Sequence, residues 1–486
     1  MSNIETSVSD SLRPCSRIPD DILCEIFLRC LSWPRSTITL SPEEAPLLLT
    51  HVCRRWREVA VNYANLWQWL GLDLQNSPVK ISENANELVK LLQRSKTASL
   101  NLQIRWPTQC EARDHLHLAL VPPIRTSLTR LTLQSITFVQ LALLPPGLFP
   151  RLEVLAISIH GRWEDARHYS YEAFKHAPCL RRVALNEWFY NPSDFGIKIS
   201  LPWEQLTHFV QASCASDEET AVYAFHNYYL PRCSNLQYLR LTLGYPITAP
   251  YQGYSVPTLQ GLCLNFWGPE PGTIYLPALL GKIAFSNIKS LRLEGECIDV
   301  PRYEVATFCT KLSSFNYLTH LSLSWIHMDY GILRDLVRST PNVETLDVHI
   351  GGELGTHVVF QDLEWIISDP ETHVLPRLHT FILRPIDDFD QDNLVSGLID
   401  RDLFRSFVGS RMGASSSGRR IQKIVLFSIG VPAYSEARTA VQDYLDEGLV
   451  LEDRVYEKGK EMGEWMNDDP TLQDWRELQS GPFYSY

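Results

Sequence analysis

An apolar frame of three slots, apolar-x-x-apolar-x-apolar, recurs along most of this chain and constrains its fold more than any other feature. Eleven copies begin at Leu128, Leu152, Leu180, Leu206, Leu236, Leu259, Ile288, Leu318, Val343, Leu378 and Ile421. The first ten are spaced 23 to 35 residues apart, and the last follows after 43. The third slot is apolar in every copy but one, where Gln211 stands. Thr97, Leu100 and Leu102 make a degenerate earlier copy. The chain is 45% hydrophobic, so about one window in ten matches such a frame by chance, and context has to carry the argument. Proline stands two residues before the first slot in five copies, at Pro150, Pro178, Pro257, Pro341 and Pro376, although only 30 of 486 residues are proline. There it ends a preceding helix and launches an extended strand. Amphipathic stretches lie between several copies, such as residues 330–339 with Leu333, Leu336 and Val337. Strand, loop and helix at this period predict an α/β array of stacked units whose strands line one parallel sheet. The alternative is an ordinary α/β domain whose parallel strands happen to read alike.

Alternation along a strand sends the slot residues to one face and their neighbours to the other. The neighbours include Arg130, Arg182, Arg240, Arg292, Glu294, Asp347, His349, Arg384 and Lys423. Six are basic and two acidic, whereas the whole chain holds 44 Lys and Arg against 56 Asp and Glu. Trp188 and Trp267 fall just beyond their strands with the same parity. Guanidinium forks match carboxylate and phosphate, and aromatics beside arginine make good anchors. The expected target-binding residues are therefore Arg182, Arg240, Arg292, Asp347, Trp188 and Trp267, facing an acidic or phosphorylated segment of a target protein. A solvated strand face is the plainer alternative.

The N-terminal part has a different pattern. Pro19 can open a helix, Asp20 and Asp21 suit its first turn, and Ile22, Leu23, Ile26, Phe27, Cys30 and Leu31 form one apolar stripe. Ser41-Pro42-Glu43-Glu44 reads as a capping box. After it, Leu48, Val52, Trp56, Val59 and Tyr63 make a second stripe. So small a unit buries only part of its apolar surface alone. The surplus either docks a partner or packs on the rest of the chain.

These residues resemble a family. Ile18-Pro19-x-Asp21-Ile22-Leu23-x-x-Ile26-Phe27, then Val52-Cys53-Arg54-x-Trp56-Arg57-x-Val59-Ala60, then Leu66-Trp67, is similar to an F-box, of the F-box-like variety common in fungi. The segment from Ser32 to Pro46 is longer than the family's usual connection. The array resembles the divergent leucine-rich repeats that often follow an F-box, although no Asn or Cys position recurs regularly. The resemblance implies a helical module that docks on the Skp adaptor of a cullin–RING ubiquitin ligase, with adaptor contacts at Ile18, Pro19, Ile22, Leu23, Ile26, Phe27, Val52, Trp56 and Val59. It implies a substrate-recognition subunit that performs no covalent chemistry. A repeat scaffold that never joins a ligase is the alternative, and an enzyme with an unrecognised site is a third class.

The expected fold class is thus α/β: a small all-helical F-box module followed by an irregular leucine-rich-repeat solenoid with a parallel concave sheet. The expected divisions are a disordered N-terminus over residues 1–15, the helical module over 16–72, a linker helix over 73–96, the array over 97–430, and a C-terminal helix with an acidic tail over 431–486. The tail, with Trp465 and Trp475, either caps the array or moves freely.

The net charge of -12 argues against a nucleic-acid or anionic-membrane partner, since phosphate attraction needs a basic surface. No apolar run approaches the roughly 18–20 residues that span a bilayer, and the first residues lack a signal-peptide layout. The 11 cysteines are scattered, which suits a reducing compartment, cytoplasmic or nuclear. Gly413-Ala414-Ser415-Ser416-Ser417-Gly418 fails the nucleophile-elbow spacing, and Gly351-Gly352-x-x-Gly355 is no phosphate-binding loop. His115 and His117 near Cys110 and Asp114 lack a metal motif, and Glu364, Asp387 and Asp388 show no paired arrangement. No cofactor and no metal is expected.

Overall fold

The computed structural model describes residues 18–31, 42–73, 93–95, 99–105, 122–144, 146–147, 149–159, 171–185, 190–191, 196–197, 199–211, 229–243, 254–266, 283–284, 287–295, 302–325, 330–350, 356–363, 374–385, 399–413, 420–427 and 431–454. The chain divides into two compact units, Met1–Leu180 with Ile199–Pro202, and Arg181–Lys198 with Trp203–Tyr486. The division falls inside the repeat frame.

In the first unit, α1 (Asp20–Arg29) is preceded by Pro19 as its N-cap rather than its first residue, with Asp20 and Asp21 in the first turn. The second stripe does not form one helix. Residues 42–48 are turns, α2 (Leu49–Val52) is a single turn, and Cys53 is extended before α3 (Arg54–Asn62). Cys53 Sγ accepts the Trp56 backbone N–H at 3.4 Å and so caps α3. The apolar spacing passes through this break unaltered, so periodicity alone reads one helix. Arg55 donates to the Asp20 carboxylate at 2.7 Å and to the Ile18 carbonyl, tying α3 to the start of α1. Phe27 meets Trp56 edge-on with ring centroids 4.9 Å apart. Trp67, in the 3-10 turn Ala64–Trp67, donates its Nε1–H to the Ala60 carbonyl at 2.8 Å. Strands β1 (Trp69–Asp73), β2 (Leu100–Arg105), β3 (Leu128–Ile136) and β4 (Val154–Ile159) follow, parallel and adjacent in that order. α4 (Pro122–Ser127) leads into β3, and α5 (Phe138–Ala142), with a Thr137–Gln140 capping box, leaves it.

The second unit carries β5 (Arg182–Leu185), β6 (His208–Gln211), β7 (Tyr238–Leu243), β8 (Gly261–Phe266), β9 (Ser290–Gly295), β10 (His320–Trp325), β11 (Thr345–Ile350), β12 (Thr380–Pro385), β13 (Lys423–Phe427) and β14 (Val450–Arg454). Each pairs in parallel with the next, giving an open α/β sheet compatible with a solenoid-like fold. From β9 onward the connections are helical: α6 (Arg302–Ser313), α7 (Tyr330–Arg338), α8 (Thr356–Leu363), α9 (Arg401–Met412), then α10 (Val431–Ala440) and α11 (Gln442–Asp446). α10 and α11 stand, separated at Val441, in place of the single C-terminal helix expected after residue 430. Arg411, fully buried, donates to the Leu363 carbonyl at the end of α8 and to the Leu375 carbonyl at 3.0 Å. Burial alone lowers its guanidinium to about 9.

Register explains the frame. Second-slot residues Leu239, Leu262, Leu291, Leu321, Leu346, Phe381 and Ile424 align across the sheet in one buried row. Third-slot residues Leu241, Leu264, Leu293, Leu323, Val348, Leu383 and Leu426 form the next. Each such side chain contributes roughly 1.5–3 kcal/mol by leaving water. From Leu152 on, the first slot lies two residues before its strand and is also buried. Its N–H closes a turn onto the carbonyl three residues back: Leu152 to Phe149, Leu180 to Ala177, Leu259 to Val256, Val343 to Thr340 and Leu378 to Leu375. The recurrent proline is the second residue of that turn, the position its fixed φ suits. It builds a turn rather than ending a helix. β14 lies beyond the last frame because Gly448 stands in its first slot and Asp453, paired with Leu426, in its third.

Candidate functional site

Two surfaces stand out, one in each unit. The first is in the N-terminal helices. The sequence-derived adaptor set divides there into an inside and an outside. Leu23 and Phe27 are fully buried, and Trp56 and Val59 are half-buried with Ile18. Ile22 and Ile26, one turn apart on α1, are 50% and 37% exposed, and Val52 is 52% exposed. Pro19 is exposed as well. Leu48, a stripe residue outside that set, is 44% exposed. Ile22 and Ile26 share one face of α1 by their i, i+4 spacing, whereas Leu48 precedes α2 and Val52 ends it. The break at Cys53 separates Leu48 and Val52 from the partly buried side of α3.

The second surface is the polar face of the sheet in the second unit. Arg240, Arg292 and Asp347 are nearly fully buried there, not spread on a wet surface. Glu294 joins Arg240, at 2.9 Å, and Arg292. Burial works to raise the Glu294 carboxyl, but the two guanidinium groups outweigh it and hold it below the ordinary carboxylate range. Cys263 lies between them in register, and burial first, then Glu294, pushes its thiol up to about 12, so it is no nucleophile. Asp347 takes both its oxygens to Arg384 Nε, at 2.9 and 3.1 Å, with each side chain 2% exposed. Strand pairing therefore uses the charges of this face on one another. Arg182 is half-buried at the start of β5. In the first unit Arg130 is buried and lies 5.3 Å from the Trp69 ring.

Toward β13 and β14 the face becomes wetter. Lys423 Nζ and Arg454 both bind Glu452, each at 2.7 Å, with side chains 33%, 37% and 33% exposed. Burial pushes the Glu452 carboxyl up, and hydrogen bonds from Lys423 and Arg454 overcome this and lower it. Beside them opens a groove of about 280 Å³, lined by His320, Thr345, Asp347, Thr380, Ile382, Arg384, Lys423, Val425 and Arg454.

One structural signal is easy to miss in the sequence. The residue before the first slot is Asn235, Asn287 or Asn342 in three copies. Each side-chain amide donates to a carbonyl of the preceding unit's turn, Glu204, Pro257 and Asn316, at 2.7, 2.5 and 3.1 Å. These asparagines stitch successive turns. Their identity is isolated in sequence, and only the turn position makes them equivalent.

Trp188 and Trp267 lie outside the described residues, as do Cys110, Asp114, His115, His117, Gly351 to Gly355, Glu364, Asp387, Asp388, Ser415 to Ser417, Ser41, most of the expected linker helix, residues 1–17 and 455–486, and the side chain of His349. Among the described residues, no group of three or more His, Cys, Asp or Glu side chains could hold a metal ion. No helix among them is long and apolar enough to cross a membrane. No family model matches the chain, and no curated protein matches it.

Proposed function

We propose that the chain is the substrate-recognition subunit of a Skp–cullin–F-box ubiquitin ligase. Its N-terminal helices dock the adaptor, and its leucine-rich-repeat sheet holds a target protein near the ubiquitin-charged enzyme, raising the target's effective concentration there. The chain itself makes and breaks no covalent bond in this reading. The observation that carries it is the pair of half-exposed apolar residues on α1, Ile22 and Ile26, with Val52 after α1. They stand at the positions where the F-box resemblance expects adaptor contact, on a module whose Leu23, Phe27 and Trp67 already fill its own interior. Exposed apolar groups at motif positions support a docking face.

Co-expression with a Skp adaptor and size-exclusion chromatography test this. The expected result is a one-to-one complex that Ile22→Asp with Ile26→Asp abolishes while the chain stays folded. Phe27→Asp is the wrong probe, because Phe27 is fully buried against Trp56 and its loss would unfold the module whatever the partner. A folded chain that ignores the adaptor overturns the ligase assignment and leaves a repeat scaffold as the alternative.

A further inference from the structure

The polar face of the sheet is drier than its own side chains account for. Arg240, Cys263, Arg292, Ser322, Asp347 and Val425 stand in one row across the face from β7 to β13. All six are between 0 and 4% exposed, and Arg384 beside them is 2% exposed. An arginine on a sheet stands roughly perpendicular to it, so on an uncovered face its charged tip reaches water. Neighbours on adjacent strands screen its flanks, not its end. Toward β13 and β14 the same face shows the uncovered condition. Lys423, Glu452 and Arg454 form ion pairs of the same kind and stay 33 to 37% exposed. Ion pairing within the face therefore does not dry it.

The described helices do not cover it either. Phe360 of α8 and Phe407 of α9 meet the slot residue Phe381. α6 through α10 contact one another in turn, with α11 against α9, so these helices form one layer on the slot face. Arg240, Arg292, Asp347 and Arg384 each hold an interaction beyond the ion pairs named above. Burial and further partners together mean that another stretch of polypeptide lies over β7 to β13.

We infer that this cover is the chain's own C-terminal segment, residues 455–486, which follows β14. The segment begins next to Arg454, which lines the groove at the end of the face. From β14 to β7 is seven strand spacings, about 34 Å at ~4.8 Å each, which about ten extended residues span. The segment has 32 residues. Seven of them are acidic and three basic, which complements the arginines beneath, and Trp465 and Trp475 offer flat rings to guanidinium groups. A target that reads this face has to displace the segment, which makes it an internal competitor. That role rests on the target-binding half of the proposed function, whereas the cover itself does not.

Two cysteines report on the cover. Burial pushes the thiols of Cys263 and Cys233 up to about 12, so they are matched in reactivity. Cys263 lies on the polar face, and Cys233 in the turn before β7. N-ethylmaleimide labelling, read by peptide mass spectrometry, compares the full-length chain with a variant carrying Glu464→Lys, Asp468→Lys, Asp469→Lys and Asp474→Lys. Cys263 should label about tenfold faster or more in the variant, as a site freed from local opening does, with Cys233 unchanged. A synthetic peptide of residues 455–486 added to the variant should slow Cys263 again. Zero-length carbodiimide cross-linking of the unaltered chain is independent of any variant. Lys423 should join a carboxylate of residues 455–486 as well as Glu452, in a yield that does not change with protein concentration. Three results overturn the inference: Cys263 labelling indifferent to the variant, both cysteines accelerating together with no Lys423 link to the segment, or a link whose yield rises with concentration, as a second copy would give. Adaptor co-elution should be the same in the variant, so failure here is distinct from failure of the ligase assignment.

Discussion

The N-terminal helices and the polar face of the second unit each reverse the usual placing of side chains. The helices leave Ile22, Ile26, Leu48 and Val52 substantially exposed. The sheet face buries Arg240, Arg292, Asp347 and Arg384. The two reversals mean different things. An exposed apolar pair has yet to leave water, and a partner can still gain from covering it. A buried arginine already matched to a carboxylate has spent its interactions inside the chain. Charge on a strand is thus a poor guide to binding until its register partners are known.

The largest effects should come from unmatching the buried charges. Arg384→Ala should cost about 3–5 kcal/mol, because it strands Asp347 in a site 2% exposed. Replacing both, Arg384→Met with Asp347→Leu, should recover most of that loss. Urea unfolding measures both, and a single variant with wild-type stability would mean the face is solvated. In the helices, Phe27→Ala should cost about 3–5 kcal/mol, as a large core side chain does, while Ile22→Asp stays within about 0.5 kcal/mol. Amide exchange in α1 and α3 reads the difference, and equal effects would erase the division into inside and outside.

A smaller effect belongs to Gly261. An added Cβ there would stand 2.5 Å from Tyr238 Cδ1, so Gly261→Ala should cost about 1–3 kcal/mol. The loss should shrink in a Tyr238→Ala background. The smallest effect is pH-dependent. Burial depresses the folded pKa of His320, so the folded state binds fewer protons than the unfolded one between that value and 6.5. Its contribution is complete above pH 6.5 and is lost as pH falls through the folded value. Glu294, also depressed, contributes fully above 4.5 and loses its share at still lower pH. His320→Gln should flatten the first of these slopes and leave the second, as thermal melts across pH would show.

Much of the sheet was legible because its signal is local. The slots at i, i+3 and i+5 report on one strand and the turn before it, and β3 through β13 begin at or two residues after their first slots. The five prolines were visible, but their role as second residue of a turn depends on a hydrogen bond that spacing does not specify. The break at Cys53 was hidden for the same reason: Leu48, Val52 and Trp56 keep helical spacing across a residue whose backbone is extended. The candidate sites were less legible than the fold. Arg384 finds Asp347 37 residues away, and Arg240 finds Glu294 54 residues away. Parity marks such residues as sharing a face, but only the register of several strands shows that they satisfy one another. The groove residues Ile382 and Val425 carry no sequence signal, since they are ordinary strand residues until they interrupt a polar row.

The most direct test of the central claim is hydrogen exchange on the full-length chain with and without a purified Skp adaptor. Slower exchange is expected across residues 20–31 and 48–62 when the adaptor is present, with no change in β5 to β14 and loss of the protection in the Ile22→Asp, Ile26→Asp variant. Unchanged exchange in those helices, or protection confined to the second unit, would contradict it.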